Sequence, residues 1–206
     1  VVGHMVERVV IPPPEEIHLW QRKRPVVQPG EPFKPFLIED DDLVPPIAHA
    51  GDGYRIHYTG LTHDERGYPE MTADTHHELV TRLVNKVRVN REQLYLTQGF
   101  DLEDAEILVI SYGCTSRSAR RAVREARAQG IRAGLLRLIS LWPFPEELVK
   151  SAAANAKSVI VAEMNLGQIS REVERCTGKP VSGVFHAGGA MIPPEPILQA
   201  IRETAK

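Results

Sequence analysis

Cysteine is scarce in this chain: Cys114 and Cys176 are the only two in 206 residues. Neither belongs to a CxxC pair, so a zinc ribbon or a cluster-binding run is excluded within these residues, and a reduced cytoplasmic chain is the simplest reading. Long apolar stretches are missing as well. The longest uncharged run, from Pro180 to Pro194, is broken by three glycines and three prolines and is too short to span a bilayer, so no membrane partner is expected. A charge excess is also lacking. With 25 basic and 27 acidic residues the net charge is −2, which argues against a dedicated nucleic-acid binder. Neither GxGxxG nor GxxxxGK[ST] occurs, so no nucleotide fingerprint is present.

What is there is globular. Apolar residues make up 42% and charged residues 25%, close to the average for folded domains. A mass of 23.0 kDa allows one full domain with a substantial extension, since domains run to roughly 100–150 residues. The chain opens Val1-Val2-Gly3-His4-Met5, which we read as a cut made inside something longer.

Proline divides the sequence. Nine of its 16 prolines fall between Pro12 and Pro46, beside the acidic run Glu39-Asp40-Asp41-Asp42. Proline fixes φ and removes a backbone donor, so regular structure cannot run through this stretch. Residues 11–53 therefore read as an extended connector, and Phe33, Phe36, Leu37 and Ile38 favour its wrapping a surface. Tyr54 to Gly60 alternates weakly and predicts a short strand. Thr75-His76-His77-Glu78 resembles a capping box, with Leu79, Val80, Leu83, Val84 and Val87 on one face of a helix over 76–96.

From residue 105 the rhythm becomes strand–helix. The run Ile107-Leu108-Val109-Ile110 suits a buried parallel strand. Small residues Ala119, Ala122, Val123 and Ala126 then mark a helix ended by Gly130. Strands follow at 131–138, 158–162 and 181–185. Helices follow at 145–155, around Ile169 to Cys176, and at 196–204. The fold class predicted is α/β, a mainly parallel open sheet flanked by helices and preceded by an extended Pro-rich connector.

Ligands of open α/β sheets bind at the carboxyl ends of the strands. One such end carries Gly113-Cys114-Thr115-Ser116, which reads as a tight turn with a Ser/Thr helix cap or as a phosphate cradle. Another carries Glu163-Met164-Asn165-Leu166-Gly167-Gln168. Three polar side chains there point to a ligand or partner chain, or to capping of the next helix. Arg117, Arg120, Arg121, Arg124 and Arg127 share one helix with a single acid, Glu125, and Arg132 and Arg137 follow. This is either a solvated face or a surface for an acidic partner or coenzyme phosphates. The loop His63-Asp64-Glu65, near His57, His76 and His77, matches no metal-ligand spacing and reads as a solvated loop. Cys176, seven residues from Ile169, falls on the apolar face.

Several of these segments together resemble one family. They are Gly3-His4-Met5 with Glu7, Tyr58-Thr59-Gly60-Leu61-Thr62-His63-Asp64-Glu65-Arg66-Gly67, the run from Glu163 to Gln168, and His186-Ala187-Gly188-Gly189. In this order they are similar to the alpha subunit of 2-oxoacid:ferredoxin oxidoreductases, of which the 2-oxoglutarate type is the nearest. The resemblance implies a complex that converts 2-oxoglutarate, coenzyme A and oxidised ferredoxin to succinyl-CoA, carbon dioxide and reduced ferredoxin. It implies partners too: a beta subunit, with or without small gamma and delta subunits, and ferredoxin and coenzyme A at the level of the complex. Thiamine diphosphate, magnesium and an iron–sulfur cluster are expected mainly on the beta chain, none of them held by these residues alone. Residues 1–10 would be the tail of a pyrimidine-binding domain, 11–53 the interdomain connector, and 54–206 a transketolase C-terminal-like domain. Cofactor- and substrate-contacting segments of the family lie upstream of Val1, so no catalytic residue is carried over and these residues alone are expected to be inert. Candidate interface or ligand-facing residues are His63, Asp64, Glu65, Cys114, Thr115, Ser116, Glu163, Asn165 and Gln168. The competing reading is a stand-alone module that holds a phosphate-bearing ligand at Gly113 to Ser116.

Overall fold

A computed structural model describes residues 8–206, so the motif at Gly3 to Glu7 lies outside the described residues. Val10–Glu92 and Gln93–Lys206 are two compact units. The boundary expected at residue 54 lies inside the first of them.

Across residues 10–72 of the first unit, the only helical element is a 3-10 turn at Pro14–Glu16, as the prolines require. The connector nevertheless folds back on itself. Lys23 Nζ bridges Asp40 at 2.7 Å and Asp42 at 2.6 Å, which gives the acidic run a counter-charge. Phe33 packs on Tyr54 with ring centroids 5.3 Å apart, and the Tyr54 hydroxyl donates to the Val27 carbonyl at 2.9 Å. No strand forms over 54–60, contrary to the weak alternation there. The segment instead satisfies its groups through side chains: His57 Nδ1 bonds the Gly67 carbonyl at 2.6 Å.

Helix α1 spans Ala73–Val89. It begins earlier than the capping box predicts, because Thr72 is the N-cap and its hydroxyl accepts from the Thr75 N–H at 3.2 Å. It also ends earlier. Asn90 turns its Nδ2 onto the Lys86 and Asp42 carbonyls, each at 2.8 Å, and a four-residue helix α2 (Arg91–Leu94) follows. No residue of α1 is buried; its apolar stripe stays half exposed at Val80, Leu83 and Val84.

The second unit is an α/β sandwich. Five strands, β1 (Thr97–Phe100), β2 (Ile107–Tyr112), β3 (Ala133–Leu138), β4 (Ser158–Glu163) and β5 (Val181–Phe185), lie in the order β1-β3-β2-β4-β5. All neighbours are parallel except β1, which runs antiparallel to β3. Strand β1 is short, Thr-Gln-Gly-Phe, and carries no apolar period that would announce it.

Helices α3 (Thr115–Ala128), α4 (Glu146–Ala153), α5 (Gln168–Thr177) and α6 (Pro194–Thr204) cover both faces. On one face Ile107, Val109, Leu135 and Ile160 pack with Ala119, Ala122 and Val123 of α3 and with Ile197 and Ile201 of α6. On the other, Leu108, Ile110, Leu136 and Val161 pack with Val149 of α4 and Val173 of α5. Central strands covered on both faces need continuous apolar sequence, which is why β2 reads as an unbroken run. Truncating a residue such as Ile160, which is fully buried, costs about 2–5 kcal/mol.

Candidate functional site

From β2 the chain crosses to β3 on one side and then returns to β4 on the other side of β2. The carboxyl ends of β2 and β4 therefore flank the switch point at which open α/β sheets leave a crevice. The parallel register of β2 and β4, which sets Ser111 level with Ala162, brings Tyr112, the last residue of β2, beside Glu163, the last of β4.

Glu163 is 1% exposed. A buried carboxylate needs hydrogen-bond donors on its oxygens, and here it has four. Tyr112 OH donates at 3.1 Å, Asn165 Nδ2 at 2.9 Å, and the backbone N–H groups of Ile169 and Ser170 each at 3.0 Å. Asn165 ties the rest together. Its Nδ2 lies 2.7 Å from the Tyr112 oxygen, and its Oδ1 accepts from the N–H groups of Gly167 and Gln168 at 2.9 and 2.8 Å. Four consecutive N–H groups at the start of α5 thus end on two side chains, of which Glu163 also sets negative charge at the positive end of the helix. Gly167 makes the approach possible with φ +92°.

Capping therefore accounts for Glu163 and Asn165, and Glu163 points into the chain rather than out of it. Gln168 is exposed, as is Leu166 at 75%. Tyr112 went unnoticed in the sequence; its signal was a hydroxyl at the carboxyl end of an otherwise apolar strand. Burial first, and then the Glu163 charge and hydrogen bond, push its phenol up to about 12.

At the neighbouring turn the Ser/Thr cap does not form. Cys114 occupies the N-cap position in a helical conformation with no side-chain capping bond, and the Ser116 hydroxyl donates to the Gly113 carbonyl at 2.7 Å. Thr115 and Ser116 are buried. Cys114 Sγ sits 3.6 Å from Met164 Sδ, so the turn after β2 touches the loop after β4. Cys176, in the last turn of α5, is partly buried, its thiol pushed up chiefly by burial. Much of the arginine helix is answered locally: Arg121 pairs with Glu125 at 2.7 Å, and Arg127 pairs with Asp104 and, at 3.7 Å, with Asp101.

In the first unit, His63, Asp64 and Glu65 form a tight hairpin and not a loose solvated loop. His63 is only 9% exposed. Its ring lies against Phe36 with centroids 3.9 Å apart, and its Nδ1 is 3.0 Å from the Asp64 carbonyl. Asp64 organises the turn: Oδ1 accepts the N–H groups of Arg66 and Tyr68 at 2.9 and 3.1 Å, while Oδ2 pairs with the Arg66 guanidinium at 2.6 Å. Gly67 has φ +85°, and a Cβ there would stand 2.0 Å from the His57 carbonyl oxygen, so only glycine fits. Glu65 pairs with Lys34. The hairpin and α1 enclose a cleft of about 570 Å³ lined by His63, Arg66, Glu70, Glu78 and Arg82 among others. Burial pulls the Arg82 guanidinium below its ordinary value. Among the described residues, no three of His, Cys, Asp and Glu converge as metal ligands.

Residues 105–197, which hold the sheet from β2 to β5 and the whole Tyr112–Glu163–Asn165 network, match the family described as pyruvate:ferredoxin oxidoreductase core domain II. Over 203 residues, that segment included, the chain is 43% identical to 2-oxoglutarate synthase subunit KorA of Methanocaldococcus jannaschii, covering 98% of this chain and 53% of the relative. The chain belongs to the alpha-subunit family of the 2-oxoacid:ferredoxin oxidoreductases. Ketoisovalerate oxidoreductase subunit VorB of Methanothermobacter marburgensis is also 43% identical, over 50% of this chain and 30% of its own length. Among solved structures, 2-oxoglutarate:ferredoxin oxidoreductase from Magnetococcus marinus, with 2-oxoglutarate, coenzyme A and succinyl-CoA bound, superposes with a TM-score of 0.82 at 26% identity. That match covers 95% of this chain and 34% of the other. The chain spans about half the length of the KorA relative.

Of the four segments that lent the chain its likeness to this oxidoreductase family, Gly3 to Glu7 lies outside the described residues, His186 to Gly189 follows β5, and the other two are the sites described above. The His63 hairpin lies in the first unit, and the capped α5 turn lies at the switch point of the second.

Proposed function

We propose that this chain is the C-terminal part of the alpha subunit of a 2-oxoglutarate:ferredoxin oxidoreductase, and that it serves assembly and inter-subunit contact. The reaction of the whole enzyme is 2-oxoglutarate, coenzyme A and oxidised ferredoxin to succinyl-CoA, carbon dioxide and reduced ferredoxin. The observation that carries this reading is the 43% identity to a 2-oxoglutarate synthase subunit along 98% of the chain. The partner of first choice is the beta subunit, with or without small gamma and delta chains, in the cytoplasm; no helix among the described residues is long and apolar enough to cross a membrane.

The polar residues present fit structural roles. Glu163 and Asn165 are committed to the α5 cap, and Asp64 to its own hairpin. Two cysteines fall short of the four thiolates that an iron–sulfur cluster takes. In this reading thiamine diphosphate, magnesium and the cluster belong mainly to the beta chain, where the diphosphate cofactor supplies the carbanion chemistry. This chain's own part is to present surfaces: the hairpin pinned by Gly67 and Phe36, and the switch-point loops at Gly113–Cys114 and Leu166–Gln168.

The test is to purify the complex through this chain from its source and to measure dye reduction dependent on 2-oxoglutarate and coenzyme A. Co-purification of a thiamine- and cluster-bearing chain with that activity is expected. Activity with a branched-chain 2-oxoacid and not with 2-oxoglutarate would overturn the substrate, and a chain that purifies alone and inactive would overturn the role.

A further inference from the structure

Arg137 on β3 stands apart from the other charged groups of the sheet. Its Nε is buried without a hydrogen-bond partner, the one such side-chain atom among the described residues. Among those residues no carboxylate lies within ion-pair distance of it. A buried donor left unpaired is costly, and one kept in a native structure calls for an explanation, of which an acceptor supplied from outside the chain is one.

Register shows what surrounds this side chain. Arg137 is level with Gln98 of β1 and Ser111 of β2. Strand alternation puts it on the same face as Leu135, which packs under α3. One row toward the amino ends, Leu135 is level with Phe100, and there α3 reaches across: the Arg120 guanidinium lies over the Phe100 ring, 4.3 Å from its centroid. One row toward the carboxyl end the cover is gone. Leu96 and Ile139, joined by the Ile139 N–H to Leu96 carbonyl bond of 2.9 Å, are 55% and 52% exposed. Rows on one face are about 7 Å apart. An unanswered guanidinium thus sits between a cationic helix edge and an exposed apolar pair.

We propose that this corner of the β1–β3 pair is a docking surface for a polypeptide partner that sets a carboxylate against Arg137 and apolar side chains against Leu96 and Ile139. The inference rests on the reading of the chain as one part of a larger assembly. The Arg137 guanidinium supplies the charge complementarity, since a planar fork of donors suits a carboxylate in two-point contact. The apolar pair selects a polypeptide over a free small anion, which would leave Leu96 and Ile139 in water.

The test uses the complex as purified, with Arg137→Met, Arg137→Lys and Ile139→Asp introduced singly. Subunit dissociation is followed by native mass spectrometry and ultracentrifugation across ionic strength, and backbone hydrogen exchange is followed in parallel. Arg137→Met is expected to weaken association by about tenfold or more and to flatten its salt dependence. Arg137→Lys should recover part of the loss, and Ile139→Asp should weaken association independently. Exchange protection should fall at Leu96–Phe100 and at residues 139–142 while β2 and β4 keep theirs. If protection of β2 and β4 falls as well in Arg137→Met, Ile139→Asp carries the test. Wild-type association in Arg137→Met and in Ile139→Asp overturns the docking surface and leaves the assembly role standing. Protection of the corner by added pyrophosphate, with assembly indifferent to Arg137, overturns it in favour of a free-anion site. A wild-type chain that associates with nothing removes the assembly role itself.

Discussion

Glu163 ends strand β4 and caps the helix that starts five residues later: its Oε1 accepts the Ser170 backbone N–H at 3.0 Å, and its Oε2 the Ile169 N–H at the same distance. One buried carboxylate so fixes the angle between strand and helix at the switch point. Glu163→Ala removes four hydrogen bonds and leaves one donor buried and three partly buried, a change expected to cost about 3 kcal/mol. Glu163→Gln keeps one acceptor but turns an NH2 group toward a donor, and should cost about half as much. Urea unfolding of the two variants beside wild type measures both. Equal stability in all three would show that the cap contributes nothing.

Tyr112 reports on the same network through its proton. Burial and the adjacent Glu163 carboxylate raise its phenol from 10.0 to about 12. The folded state then holds this proton more tightly than the unfolded chain does. The resulting stabilisation is present below the ordinary value and is lost as pH rises toward about 12. Titration by phenolate absorbance should show one of the five tyrosines ionising late. Tyr112→Phe should delete that late step and no other.

The sheet was legible because its signals are local and redundant. Continuous apolar runs mark β2 and β4, alanines mark the inner face of α3, and Gly130 marks its end. The structure places each within a few residues of expectation. Strand β1 was not legible, since a four-residue edge strand depends on β3 for its ladder and has no period of its own. The turn at Glu163 was half legible: its polarity stood out, but whether those side chains face outward or cap a helix depends on Gly167 turning the chain back. The His63 hairpin misled in the other direction. Its polar sequence suggested solvent, whereas Phe36, 27 positions earlier in the chain, covers the imidazole.

Lys179 closes the far end of the second unit. Its Nζ donates to the carbonyl oxygens of Ala153, Ala154 and Ala156 at 2.5, 3.2 and 2.7 Å. The first of these ends α4, where a cation both satisfies orphan carbonyls and faces the negative end of the helix. Lys179→Met keeps the length of the stem and removes the donors. A loss of about 1–3 kcal/mol is expected, with exchange protection falling first at residues 150–156. An unchanged urea midpoint would mean that water serves those carbonyls equally well.

Asp64 makes the first unit sensitive to acid. Burial pushes its carboxyl upward, but the Arg66 guanidinium and the N–H groups of Tyr68 and Arg66 outweigh burial and hold it below the ordinary 3.8. A depressed carboxyl stabilises the folded state above its unfolded value, and that contribution is lost as pH falls through the folded one. Asp64→Asn separates the two kinds of partner. Its Oδ1 still accepts both backbone N–H groups, while its NH2 group now faces the Arg66 guanidinium and the ion pair is gone. The hairpin should therefore persist, with His63 still against Phe36, while the acid sensitivity shrinks. Urea midpoints of wild type and variant between about pH 7 and pH 3 should converge as pH falls. Parallel curves would assign the acid sensitivity to other carboxylates and leave Asp64 as a hydrogen-bond acceptor only.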